Sequence, residues 1–296
     1  MKCRILLLFA GLLVWQPAWS QEYITEDAER FAALLAKFPD EITPEAIQSG
    51  YLKPGTKGIK IFTPKRIQNA KNMADMVNTY RSRYDEGVAL MLPAALESAD
   101  ASREILDHVQ QLLGQEESAP VYMVFGGNNS GGTASRKGLV VGLEVLSRFV
   151  ETEAEAKKLL KSFIAHEVVH VYQYNSGNKG RGNLLHHSLR EGFADFIENM
   201  VMGGISSAER ERHTYGLAHE AELWAKFRQV MHTKDIRSWM YNGDQEDRPA
   251  DLGYWIGKRI CAAFYAQSQD KHQALQVLLY LKDPDEILAR SGYNPG

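Results

Sequence analysis

The sequence predicts an α+β fold dominated by helix, with a small antiparallel sheet just ahead of a key helix and a helical C-terminal lobe. Two observations carry that expectation. Val121 to Phe125 and Gly138 to Leu143 are compact apolar runs separated by the glycine- and asparagine-rich stretch Gly126 to Gly132, which reads as strand, loop, strand. From residue 151 nearly to the end, apolar residues recur at helical spacing, with breaks at 176–182, 203–206, 233–250 and near Pro284.

The earlier part of the chain is also mostly helical in pattern. Residues 22–38 and 44–49 read as short helices, the second opened by Thr43-Pro44-Glu45. Tyr51 to Phe62, with Pro54, Gly55 and Gly58, reads as a turn followed by a short strand. Residues 64–84 and 88–113 carry apolar side chains such as Ile67, Met73, Val77 and Tyr80 at helical intervals.

The 296 residues, 44% hydrophobic and 24% charged, suffice for one large domain of two lobes or two small domains. The organisation expected is a signal peptide over residues 1–20 and one domain over 21–296, with lobes at about 21–177 and 178–296. Lys2 and Arg4 precede an apolar run from Ile5 to Trp15, and Ala18 and Ser20 stand at the −3 and −1 positions of a cleavage site. That run is too short to span a bilayer, so a secreted or periplasmic chain without stable membrane insertion is expected. Cys261 is the sole cysteine beyond this segment and lies in an apolar helical stretch, which reads as a buried thiol. A net charge of −3 gives no basic surplus, which argues against nucleic acid as a partner.

Thr152 with Glu155 three residues later forms a capping-box signature and opens a helix that carries His166, Glu167 and His170. Four residues advance a helix by about 400°, so the two imidazoles lie roughly 40° and one turn apart, able to share one ion. The bare pattern arises by chance in about two chains per hundred of this composition. A third ligand therefore decides. Ser176 occupies the position of a histidine in one extended metalloprotease pattern, so that arrangement fails. Asn183 instead begins another helix, on which Glu191, Asp195 and Glu198 can project to one side. His186 and His187, close by, remain rival ligands.

The pairing of these two motifs resembles the gluzincins, the thermolysin-like zinc metallopeptidases, and more loosely a family of predicted zinc proteases of unknown substrate. The resemblance implies a zincin-like fold with Zn²⁺ held by His166, His170 and Glu191. It further implies Glu167 as general base toward a zinc-activated water, and Asp195 as the outer acceptor for a ligand imidazole. Tyr254 is the first choice for the hydrogen bond to an oxyanion, ahead of Tyr215 and His219. The leading expectation is then hydrolysis of a peptide or protein substrate. The alternatives are an inactive metallopeptidase-like module that binds an envelope or extracellular protein, and a metal-dependent hydrolase of another bond.

Other features carry less. Gly126 to Thr133 fails as a phosphate-binding loop, because Gly132 stands where lysine is required. Residues 131–135 could instead form an edge strand that pairs with an extended peptide. Trp224, Trp239 and Trp255 read as core, and His213, His219 and His232 as solvated.

Overall fold

The computed structural model describes residues 22–243 and 247–296. The expected signal peptide lies outside them. Among the described residues, no helix is long and apolar enough to cross a membrane.

A four-stranded sheet forms one layer, in the order β1 (Tyr23–Ile24), β2 (Val121–Val124), β4 (Gly138–Gly142), β3 (Gly132–Ser135). It is mixed. β2 runs parallel to both β1 and β4, and only the β3–β4 pair is antiparallel. The antiparallel sheet expected from the two apolar runs is thereby corrected. The physical reason is visible in the runs themselves: every residue of β2 and β4 is buried, so neither strand shows the apolar/polar alternation of a strand with one wet face. The chain leaves β2 through the glycine-rich loop, returns as β3, and turns tightly at Arg136-Lys137 into β4. Gly138 sits at φ +122°, and a side chain there would meet the Pro120 carbonyl.

Residues 57–62 form a helix where a strand was expected. Thr56 caps it by accepting from the Gly58 N–H, and Ile59 and Phe62, three apart, are the buried positions. Ile61, on another side of the helix, is only half-buried. The spans 64–84 and 88–113 are helical but broken into shorter helices, among them Ala70–Thr79, Arg81–Glu86, Leu92–Glu97 and Ala99–Leu112.

The glycine-rich loop closes over a carboxyl group. Asn128 N–H donates to Glu144 Oε1 at 3.1 Å, while Tyr84 and Tyr51 hydroxyls donate to the carbonyls of Gly126 and Phe125 at 2.8 and 2.7 Å. Glu144 is fully buried and its other oxygen has no hydrogen-bond partner. Burial pushes its pKa up to about 7, against the pull of backbone N–H donors and Arg148.

Three helices of the second half build the candidate site. The histidine helix, Glu153–Asn175, starts with the capping box of Thr152 and Glu155. The acid helix, Leu184–Met202, starts at Asn183, whose side chain accepts from the His186 N–H. The crossing helix, Leu252–Gln267, packs across the acid helix at backbone distance. A Cβ on Gly257 would lie 1.7 Å from the Ser188 carbonyl oxygen, and one on Gly192 would lie 2.1 Å from the Lys258 nitrogen. Trp224, Trp239, Trp255 and Cys261 are buried, as expected.

Two outcomes follow from this packing. Gly257→Ala forces the two helices apart and should lower unfolding free energy by about 3 kcal/mol; a urea midpoint matching the wild type would refute the close approach. Glu144 keeps a proton in the fold that the unfolded chain has already released between about pH 4.5 and 7, so stability should fall as pH rises through that window. Glu144→Gln removes that slope and should gain up to about 3 kcal/mol over the wild type at pH 8, with near equality at pH 4.5. Parallel denaturation curves at both pH values check it, and an unchanged difference overturns it.

Candidate metal centre

The histidine helix and the acid helix bring four of the expected residues together. His166 and His170 both turn Nε2 toward Glu191 Oε2, at 3.7 and 2.9 Å. Their ligand atoms and that of Glu191 all lie within 4.8 Å of one another. On the far side of each ring an oxygen stands near Nδ1: Asp195 Oδ1 lies 2.9 Å from that of His166 as an ion-pair contact, and Gln173 Oε1 lies 2.7 Å from that of His170 at hydrogen-bond distance. The Gln173 side chain is oriented by its own donation to the Arg190 carbonyl at 2.9 Å, so its oxygen faces the imidazole. The Gln173 oxygen can only accept, so Nδ1 of His170 carries a proton and its Nε2 is the atom that meets Glu191. Two ring nitrogens and a carboxylate oxygen at this separation need a positive charge among them, supplied by protons on the rings or by a metal ion.

Charge points the same way. Burial opposes a positive charge on His166, yet the carboxylates of Asp195, Glu191 and Glu167 outweigh it and hold its pKa well above the usual imidazole value. Burial also disfavours the charged form of Glu191, but His170, His166 and Arg190 keep its pKa well below the carboxylate range. Burial raises Glu198, which lies 3.8 Å from His166 Nδ1 and bonds the Ser162 hydroxyl. Asp195 reaches Arg212 at 2.7 Å, and the chain of contacts continues through Glu209 to Lys258 at 3.0 Å. Burial, with the Asp195 charge, pushes Glu209 up to about 7. Arg190 pairs with Glu191, Arg212 with Asp195 and Lys258 with Glu209, while among the described residues neither Glu167 nor Glu198 has an arginine or lysine partner.

The remaining expected residues fall as follows. Glu167 is half-buried beside β3; a Cβ on Gly132 would lie 3.6 Å from its carboxyl carbon. Tyr254 lies nearly parallel to the His166 ring at 6.4 Å, with Arg212 over its other neighbourhood at 5.3 Å from the ring centre. Burial, then the Glu191 charge, raises its pKa well above the usual tyrosine value. Tyr215 and His219 stack on each other at 4.1 Å. His186 and His187 stand outside both candidate ligand groups found among the described residues, and burial pushes His186 down to about 4.

Sequence reasoning missed Gln173, Arg190, Arg212 and Tyr241 in the site. Arg190 and the Tyr241 hydroxyl both donate to Glu191 Oε1, at 2.5 and 3.2 Å, which leaves Oε2 to face the imidazoles. Gln173 follows His170 by one helical turn and was legible from spacing. Arg212 and Tyr241 come from other elements, and no spacing announces them.

With this geometry in hand, the comparisons with known proteins bear on it. The family model of gliding motility protein GldB matches residues 103–295. The chain belongs to that family. No curated protein matches it. Membership in the GldB family corrects the gluzincin resemblance and what was built on it: the peptidase family, the hydrolytic function, the enzyme assignment and the labels hydrolase, protease and metalloprotease. The physical reason is that the two-helix motif specifies where imidazoles and carboxylates converge. It specifies no reaction.

Proposed function

We propose that this GldB-family chain is an envelope-associated component of a gliding apparatus, acting through protein partners, and that it carries one resident divalent ion between its histidine and acid helices. The family match supports the setting. The observation that carries the ion is the convergence of the Nε2 atoms of His166 and His170 on Glu191 Oε2, three ligand atoms within 4.8 Å of one another.

Two imidazoles and one carboxylate form a donor set suited to zinc. His166, His170 and Glu191 would hold the ion, and when bound it supplies positive charge and a cross-link between two helices. The rest is done by the chain. Gln173 keeps a proton on Nδ1 of His170, Asp195 stands near Nδ1 of His166, Arg190 and Tyr241 hold the second oxygen of Glu191, and Arg212 neutralises part of Asp195. In such a site the ion serves a stable surface for partners, as in the inactive-module alternative weighed above.

Zinc content after dialysis against a weak chelator should rank Glu191→Ala and His170→Ala lowest. Asp195→Ala should fall between, with affinity reduced about 10–100-fold, while Glu198→Ala and Glu167→Gln keep zinc near the wild-type level. A strong chelator should lower the melting temperature of the wild type, and added zinc should restore it. Full zinc retention by Glu191→Ala would remove the proposed site.

The motility role has its own readout. Deleting the gene in its native host should slow or stop gliding; the wild-type gene should restore it and the Glu191→Ala gene should not. Normal gliding after deletion overturns the role.

A further inference from the structure

An acid-free, lysine-rich stretch runs through a chain whose net charge is −3. Between Glu45 and Asp75 there is no acidic residue, but there are Lys53, Lys57, Lys60, Lys65, Arg66 and Lys71. Between Glu117 and Glu144 there is again none, and Arg136 and Lys137 form the β3–β4 turn. The fold brings part of both stretches to one place. Lys57, Lys60, Arg136 and Lys137 rim an open cleft of about 790 Å³ whose floor includes Pro120 and Tyr122. All four are exposed, and none of them forms an ion pair with a described residue. Arg136 is anchored at its Nε, which donates to the Tyr174 carbonyl at 3.2 Å. The acids felt at Tyr122 are Glu22 and Asp27. Asp27 is itself buried and bonded to Arg30 and Thr56, so it offers little to the cleft.

We propose that this cleft and its rim are a contact face for an anionic phospholipid surface, with lipid phosphates among the four cations and the apolar floor against the headgroup–acyl boundary. Lysine and arginine suit this role, since their stems lie along apolar surface while their charged ends reach phosphate. The floor decides among anionic surfaces: the headgroup–acyl boundary of a bilayer offers apolar groups to cover Ile61, Pro64 and Pro120 between the cations, whereas a free phosphate or a nucleic-acid backbone leaves them bare. The metal centre plays no part in this contact.

The test is sedimentation of the full chain with vesicles rich in phosphatidylglycerol and with vesicles of phosphatidylcholine alone. The wild type should bind the anionic vesicles, weakly bind the neutral ones, and lose the difference at raised salt. Each cation at an anionic surface is worth about five-fold in partitioning, so the quadruple variant Lys57→Gln, Lys60→Gln, Arg136→Gln, Lys137→Gln should bind at least about 100-fold less. Lys226→Gln with Lys234→Gln should bind as wild type, and so should His170→Ala, which separates this face from the proposed ion. Titrations with inorganic phosphate and with a single-stranded oligonucleotide complete the set. Anionic-vesicle binding by the quadruple variant within about three-fold of wild type overturns the proposal. So does binding of phosphate or the oligonucleotide that depends on the four cations while vesicles are ignored.

Discussion

The contact on which the second half of the molecule depends is the crossing of two helices at Gly192 and Gly257. With atoms of one backbone 1.7–2.1 Å from where the other's Cβ would stand, nothing larger than hydrogen fits at either position. The crossing helix is thereby seated against the acid helix along residues 188–192. That puts Lys258 over Glu209 and Tyr254 beside His166, and it leaves the opposite side of the acid helix to meet the histidine helix. A looser crossing would still bury Ile197, Phe193 and Ile260. It would not place Glu191 Oε2 and Asp195 Oδ1 on the two faces of one imidazole, which needs the acid helix fixed to within a fraction of an ångström.

Buried carboxylates are the cost of that arrangement. Glu191, Asp195 and Glu198 occupy successive turns on one side of a helix in the interior, where an unpaired charge is expensive. The protein offsets this with Arg190 and Arg212, with Lys258 through Glu209, and with the imidazoles of His166 and His170. Among the described residues, carboxylates without an arginine or lysine partner remain beside three converging ligand atoms. A site built only for stability would have paired every carboxylate with an arginine, or replaced the cluster with apolar side chains, often a neutral or favourable exchange.

Local signals in the sequence were faithful. The Thr152–Glu155 capping box, the Asn183 cap, the His166–His170 pair and the Glu191–Asp195 pair each depend on residues within about one helical turn, and the structure has each of them in place and the two pairs facing one another. The errors came from choices made at a distance. Whether β2 and β4 run parallel depends on where β3 is inserted, and the buried, unalternating character of both strands was the available sign. The segment at 57–62 read as a strand after the turn residues Pro54, Gly55 and Gly58; it is a helix whose Thr56 cap is held by Asp27, 29 residues away. Arg212 and Tyr241 join the site from separate elements. Net charge likewise hid the basic face, because acids elsewhere cancel it.

The family correction shows which part of a motif carries information. Imidazoles four apart and a carboxylate one helix away encode a shape for a cation, and the three ligand atoms do converge. Reaction requires more: a substrate path and groups poised against a developing charge. A motility protein can use the shape for rigidity alone. The histidine helix is suited to that use because it reaches two places at once. Its middle carries His166 and His170, while the Tyr174 carbonyl in its last turn accepts from Arg136 at the rim of the basic cleft. The buried cluster and the anchor of one outward-facing cation thus sit on a single helix, each held by its own contacts.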